Sequence, residues 1–218
     1  MEIVYFGNSC FRIKTKEVTI VTDPYHSTSY LAAKLPKLEA DIITVSHDHE
    51  DHNNTEGVIG SAKRPKPFII TAPGEYEVSG VSVFGMGTAH DKEKGKSRGK
   101  NTIYLYVADG MRLVHLGDLG HKLEDKIMEQ ISECDVLFAP VGDKVTLEIS
   151  DMVELVGQIQ PKIVIPMHYL LPDGNQELQP VNDFMKEVGL PEFETTDKLN
   201  ITQDKLPEDR EVIVLAKR

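Results

Sequence analysis

The hydrophobic pattern changes period halfway along the chain, and this change constrains the fold more than any other feature of the sequence. Short β-branched runs in the first half predict strands, among them Glu2–Phe6, Val18–Val21 and Asp41–Val45. In the second half, predicted strands alternate with helices such as Ile149–Ile159 and Val181–Val188. Two packed sheets with helices outside them would bury all of these apolar faces. The pattern therefore favours an α/β (α+β) protein built in layers.

Polar segments separate these elements. Asp109–Gly110 lies between two alternating runs and predicts a tight hairpin turn. Asp91–Lys100 holds five basic and two acidic residues with no apolar face, so it predicts a mobile loop. Leu31–Leu38 predicts a short helix that Pro36 interrupts. Since no linker rich in Pro, Gly or Ser divides the chain, we expect one domain over residues 1–218.

The composition is that of an ordinary globular chain. Hydrophobic residues make up 40% and charged residues 27%, which excludes a disordered chain. No run of about 18 apolar residues is present, and Met1–Phe6 is too short and wrongly charged for a signal peptide. Cys10 and Cys134 lie far apart, which disfavours a disulfide framework. We therefore expect a cytoplasmic protein without a membrane span, and leave homo-oligomerisation open.

The charge balance bears on the partners. Thirty-five acidic residues against 24 basic ones give a formal net charge of −11. Such a chain repels polyanions over most of its surface. General nucleic-acid binding and binding to anionic membranes are therefore both disfavoured.

Three of the eight histidines fall within six residues, in the H-x-H-x-D-H segment His47–His52. Residues two apart in an extended segment point the same way, so His47 and His49 can hold one cation together. Asp51 and His52 are neighbours that diverge, and can reach a second position nearby. The segment directly follows the predicted buried strand Asp41–Val45, and strand ends are favoured places for functional sites. It therefore predicts a metal site, against the alternative of a solvated acidic turn.

With this motif, the chain resembles the metallo-β-lactamase-fold hydrolase superfamily, and within it the small one-domain hydrolases related to L-ascorbate-6-phosphate lactonase. Besides the histidine segment, the resemblance rests on Phe6–Phe11, Thr22–Pro24, Leu116–His121 and Ile165–Tyr169. It covers nearly the whole chain. It implies a four-layer αββα sandwich with its site at one edge of the two sheets.

The resemblance also implies two divalent cations and their ligands. One cation would be held by His47, His49 and His90, the other by Asp51, His52 and His168, and Asp118 would touch both. Three of these residues have simpler roles open to them from the sequence alone. His90 fits a loop histidine, Asp118 fits a helix cap, and His168 fits a core residue.

Further roles are predicted around this ligand set. Asp51 and Asp118 belong to the catalytic centre, and His121, three residues after Asp118, is a candidate proton donor or ligand-supporting residue. Arg98 is a candidate for binding an anionic substrate group, with a solvated loop as the alternative. Asp23 either orients a ligand histidine or stabilises its own turn.

Imidazole-rich ligands suit zinc first, with manganese or iron as alternatives. The second histidine of the motif, His49, is not a glutamate, which disfavours the oxygen chemistry of the superfamily's diiron flavoproteins. No cysteine stands among the matched ligands, which disfavours antibiotic hydrolysis.

These observations predict a dinuclear metal-dependent hydrolase that uses a metal-bridging hydroxide on a small anionic ester, lactone or phosphodiester. The positive charge of two divalent cations exceeds the negative charge of two carboxylates and one hydroxide. The pocket is therefore locally positive, which suits an anionic substrate. Two alternatives stay open. One is a nuclease or RNA-processing phosphodiesterase on the same site, and the other is a non-hydrolytic iron or redox protein.

Overall fold

The structure, a computed structural model, describes residues 1–27 and 34–218. Its strands are β1 (Glu2–Gly7), β2 (Cys10–Lys14), β3 (Thr19–Thr22), β4 (Leu38–Ala40), β5 (Ile42–Thr44), β6 (Val58–Gly60), β7 (Phe68–Ile70), β8 (Gly74–Val78), β9 (Val81–Ala89), β10 (Lys100–Ala108), β11 (Met111–His115), β12 (Val136–Pro140), β13 (Ile163–Met167), β14 (Thr195–Thr196), β15 (Leu199–Asn200), β16 (Glu211–Val212) and β17 (Val214–Leu215). Its α-helices are α1 (Asp125–Ile131), α2 (Ile149–Ile159) and α3 (Val181–Glu187). Short 3-10 helices cover Thr55–Gly57 and Gln203–Lys205.

Two large mixed sheets form the body of the molecule. The first has the strand order β15-β1-β2-β3-β5-β7, and the second has the order β16-β13-β12-β11-β10-β9-β8. Two-stranded pairs, β4 with β6 and β14 with β17, complete the described sheets. The α/β sandwich expected from the sequence is therefore confirmed.

Strand alternation divides the apolar side chains of the first sheet between two clusters. Ile3 and Tyr5 of β1 belong to the main core, whereas Val4 and Phe6 belong to a smaller cluster on the other face. The main core also contains residues of the second sheet, and the Phe11 and Phe138 rings lie 4.6 Å apart between centroids. The two sheets therefore pack face to face, as alternating hydrophobic side chains require.

The helices follow the predicted periodicity. Helix α2 has the predicted bounds, and buries Met152, Leu155, Val156 and Ile159 at helical spacing. It ends at Ile159, because the next residue, Gln160, has a left-handed backbone (φ 55°) that terminates the helix. The helix predicted over Leu31–Leu38 falls partly on residues 31–33, which lie outside the described part of the chain, and Leu38 begins β4.

One predicted strand proves to be two. The segment Glu211–Leu215 divides into β16, which pairs with β13, and β17, which pairs with β14. The chain therefore changes partners within five residues, which a hydrophobic pattern cannot reveal. Among the described residues, no helix is both long enough and apolar enough to cross a membrane.

Candidate metal centre

The candidate residues lie where strands of both sheets end. His47 is the third residue after β5, His90 follows β9 directly and Asp118 is the third residue after β11. His168 follows β13 directly. Parallel pairing of β11, β12 and β13 brings their carboxyl ends to one rim of the sandwich. Residues far apart in sequence therefore meet in one buried cluster.

Asp118 lies at the centre of this cluster. Its Oδ2 atom is 3.1 Å from His168 Nε2, 3.3 Å from His52 Nε2 and 3.3 Å from His90 Nε2. His47 Nε2 is 3.9 Å away from the same atom. One carboxylate oxygen therefore faces imidazoles from both predicted ligand groups.

Donor atoms of the predicted ligands gather in three overlapping groups, each with its atoms within 4.8 Å of one another. The groups are His47, His49 and His90, then His47, His52 and Asp118, then Asp51, His52 and His168. The first and third match the two ligand sets that the resemblance implies, and the middle one joins them. All seven predicted ligands are thus brought together.

Burial and charge prepare these side chains to hold cations. Burial, helped by the charge of the neighbouring His52, lowers the pKa of His47 to about 2, so this imidazole is neutral at pH 7. Burial alone would raise the pKa of Asp118, but the charges of His168 and His52 hold it well below its usual range. Burial disfavours a charge on His52, yet Asp118 and Asp51 raise its pKa well above the usual value. The carboxylates therefore favour positive charge at the centre.

A metal fits this donor set. The buried atoms His47 Nε2 and Asp118 Oδ1 have no hydrogen-bond partner among the described residues, and the same is true of Nδ1 of His90 and His168. Buried polar atoms are normally satisfied, so such atoms call for an explanation. Neutral imidazole nitrogens and carboxylate oxygens are the donors that zinc and similar ions bind.

Asp23 supports histidines from both groups. Its Oδ2 atom is 2.9 Å from His52 Nδ1 and accepts a bond from Ser46 Oγ at 2.6 Å. Its Oδ1 atom accepts the backbone N–H of Ser46 at 2.7 Å. Ser46 Oγ in turn lies 2.9 Å from His47 Nδ1. Of the two roles predicted for Asp23, the structure therefore shows contact with a candidate ligand, and Ser46 is an addition that the sequence did not suggest.

His121 sits beside the cluster and not in its cavity. Its Nε2 atom accepts the backbone N–H of Ala89 at 3.0 Å, and its Nδ1 atom lies 2.8 Å from the carbonyl oxygen of Lys122. Both ring nitrogens are therefore engaged with backbone. This placement favours support of the end of β9, next to His90, over the predicted proton donation, which stays a prediction.

The segment predicted as a mobile loop is organised around one carboxylate. Asp91 Oδ1 accepts the backbone N–H groups of Glu93 and Gly95, and Oδ2 accepts those of Ser97 and Arg98. These bonds, that from Arg98 foremost, hold the pKa of Asp91 below its usual range. This ordering cannot be predicted from residue types, because each donor is a backbone group.

A cavity of about 530 Å³ opens over the cluster. Besides candidate ligands, it is lined by Asp48, Glu50, Arg98, Val145, Asn175 and Glu177. Arg98 also borders a second cavity of about 530 Å³, which runs between the histidine segment and the start of β10. Arg98 is thus the one guanidinium or ammonium group among the described residues that line the first cavity, which three non-ligand carboxylates also line.

Comparison with known proteins agrees with this architecture. A family model described as "Beta-lactamase superfamily domain" matches residues 2–168. A UPF0173 metal-dependent hydrolase of Geobacillus sp. is 29% identical over 216 residues, covering 80% of this chain and 94% of that protein. A UPF0173 protein of Pyrococcus abyssi is 31% identical over 187 residues, covering 78% of this chain and 83% of its own length.

Among solved structures, a Thermotoga maritima protein described as a Zn-dependent hydrolase of the metallo-β-lactamase superfamily superposes with a TM-score of 0.78. It is 33% identical and the match covers 98% of this chain and 97% of that one. This chain belongs to the β-lactamase superfamily, as an enzyme of its metal-dependent hydrolase class.

Proposed function

We propose that the cluster holds two divalent cations, most suitably zinc, and that the protein hydrolyses a small anionic ester, lactone or phosphodiester. The observation that carries this proposal is the position of Asp118 Oδ2 among four imidazoles, within 3.1–3.9 Å of each nearest nitrogen. Such a carboxylate suits a bridge between two cations. The names of the Geobacillus and Thermotoga relatives support metal-dependent hydrolysis.

The residues would divide as the family resemblance implies. His47, His49 and His90 would hold one cation, Asp51, His52 and His168 would hold the other, and Asp118 would be shared between the two groups. When bound, such a pair supplies Lewis acidity and an ionised water near neutral pH. Asp51 and Asp118 offset part of the cationic charge and fix where the remaining positive charge faces the cavity. That remaining charge would stabilise negative charge developing on the substrate.

Arg98 is proposed to bind an anionic group of the substrate. The backbone N–H of Arg98 donates to Asp91 Oδ2 at 2.8 Å, so the loop that carries Arg98 is held at the cavity. A guanidinium suits bidentate contact with a carboxylate or phosphate. The exposed carboxylates of Glu50 and Glu177 on the same cavity would repel an extended polyanion. A small substrate with one localised charge therefore fits better than a nucleic acid.

The test is metal content together with a hydrolase panel. Purified protein should carry close to two equivalents of metal and act on a member of a panel of lactones, thioesters, phosphomonoesters and phosphodiesters with zinc, manganese or iron. His49→Ala should lose one equivalent and lower activity by more than about 100-fold, exceeding the loss of a supporting contact. His26→Ala, an exposed histidine outside the cluster, is the matched control and should behave as wild type.

Two results would point elsewhere. About one equivalent of iron, bound without hydrolysis, would favour the iron or redox alternative. Salt-dependent RNA binding with cleavage would favour the nuclease alternative.

A further inference from the structure

The turn between β1 and β2 carries a buried asparagine that the proposed function leaves unused. Asn8 is only 6% exposed and adopts a left-handed backbone, with φ 52°. Asparagine tolerates this region better than most residues, and glycine tolerates it freely. The turn itself explains the residue type, but not why the side chain is buried.

The side chain of Asn8 reaches across to the histidine segment. Its Nδ2 atom donates to the backbone oxygen of Asp51 at 2.8 Å and lies 3.4 Å from Asp51 Oδ2. It also lies 3.3 Å from His52 Nε2. One amide group therefore touches two neighbouring candidate ligands, and on Asp51 it contacts both the peptide and the carboxylate.

The backbone of Asn8 engages the third member of the same group. Its carbonyl oxygen accepts the backbone N–H of His168 at 2.8 Å and the hydroxyl of Tyr5 at 2.9 Å. His168 has a left-handed backbone too, with φ 52°. A non-glycine residue keeps such a conformation only where its surroundings fix it. Asn8 is part of what fixes it.

These contacts are confined to one of the two predicted cation positions. Asp51, His52 and His168 all contact Asn8. Among the described residues, the Nδ1 atom of His47 instead contacts Ser46 Oγ, and the backbone N–H of His90 donates to the carbonyl oxygen of Gly99. We propose that Asn8 is the positioning residue of the second cation site, and that it tethers all three of that site's ligands to the β1–β2 turn. This inference rests on the proposed function, because it presupposes two cations.

The tether works by geometry. The side-chain amide of Asn8 restricts the rotation of the Asp51 carboxylate and holds the backbone between Asp51 and His52. The backbone carbonyl of Asn8 fixes the position of the His168 backbone just after β13. Without the side chain, Asp51 and His52 lose their link to the β1–β2 turn, and only the backbone bond to His168 remains. Supporting contacts of this kind typically change metal affinity by about 10–100-fold.

The test is a metal titration of Asn8→Gly, which removes the side chain and keeps a residue that accepts positive φ. The matched control is Ser79→Gly, at another position of φ 52°, in the exposed β8–β9 turn. Metal-stripped proteins are titrated with Zn²⁺ against a chelating dye, and with Co²⁺ while the visible spectrum is recorded. We expect the first equivalent to bind as in wild type and the second to weaken by about 10–100-fold. Ser79→Gly should keep both affinities.

A second measurement covers the case in which Asn8→Gly does not fold, as judged by circular dichroism and thermal unfolding of the metal-stripped protein. In ¹⁵N-labelled wild type, the side-chain amide resonance of Asn8 should shift with the second Zn²⁺ equivalent and not with the first.

The outcomes separate this inference from the proposed function. A wild-type chain that binds a single equivalent contradicts the dinuclear site itself. Two equivalents in wild type, with both affinities unchanged or equally weakened in Asn8→Gly, contradict only the role of Asn8. An Asn8 resonance that follows the first equivalent does the same.

Discussion

At the scale of single residues, the cluster depends on side chains that accept several hydrogen bonds at once. Asp23 is fully buried and accepts two bonds from Ser46 while contacting His52 Nδ1. Both carboxylate oxygens therefore face donors. A carboxylate in this place also fixes which imidazole nitrogen of His52 is left for a cation, since the other carries the bonded proton.

We expect Asp23→Asn to weaken metal binding by about 10–100-fold while leaving the fold intact. The amide keeps the shape and accepts the left-handed backbone (φ 37°), but its NH₂ group must face a donor. Metal titration by chelator competition measures the effect. Asp41→Asn is the matched control, because Asp41 is also buried and accepts bonds from Thr19 N and Ser61 Oγ away from the cluster. If both variants lose stability and neither loses affinity, Asp23 serves the turn alone.

At the same scale, the sequence predicts the candidate ligands but not the residues that hold them in place. The seven candidate ligands could be named because their order along the chain matches a family pattern. Asn8 could not be assigned a role, since its contact with Asp51 spans 43 positions and nothing local marks it. His121 was placed near the cluster by its sequence neighbours, but only the structure shows that both ring nitrogens bind backbone.

At the scale of elements, local chemistry predicted what is locally determined. Asp109 and Gly110 both have positive φ, at 54° and 77°, as the tight hairpin between β10 and β11 requires. Helix α2 followed its apolar spacing. The two- and three-residue strands β4, β6, β14 and β15 were not predicted, because each exists through pairing with a distant segment. A strand is predicted from the alternation of apolar and polar residues, and a strand of two or three residues is too short to show it.

The loop over residues 91–99 supplies a prediction at this scale. Asp91→Ala removes the acceptor of four backbone N–H groups, so the loop should open and its basic residues should become cleavable. We expect trypsin to cut the variant several-fold faster than wild type after Lys94, Lys96 or Arg98, as followed by mass spectrometry. Glu93→Ala is the control, because its exposed side chain lies in the same loop and the described bonds use only its backbone. Equal cleavage of all three proteins would show that the carboxylate does not order the loop.

At the scale of the whole molecule, the sandwich brings strand ends from two sheets to one rim. Candidate ligands come from the ends of β5, β9, β11 and β13, and Asn8 and Asp23 come from the ends of β1 and β3. Cations bound there would add a further connection between segments that already meet through the core and through hydrogen bonds such as those of Asn8 and Asp23. The native state would bind them far better than the unfolded chain, in which these segments are separate.

Removing metal should therefore lower the thermal stability of the entire molecule. A cation present at about 100 times its dissociation constant stabilises the native state by about 2.7 kcal/mol. For a chain of this size that corresponds to a fall of roughly 5–11 °C in Tm after chelation. Differential scanning calorimetry before and after chelator treatment measures it, with metal content checked on the same samples. Zn²⁺ should restore the Tm and Mg²⁺ should not, because imidazole-rich sites discriminate against Mg²⁺. His26→Ala should respond as wild type. An unchanged Tm in protein shown to have lost its metal would mean that the cluster is fully organised by its own hydrogen bonds, with Asp23 and Asn8 sufficient to hold it.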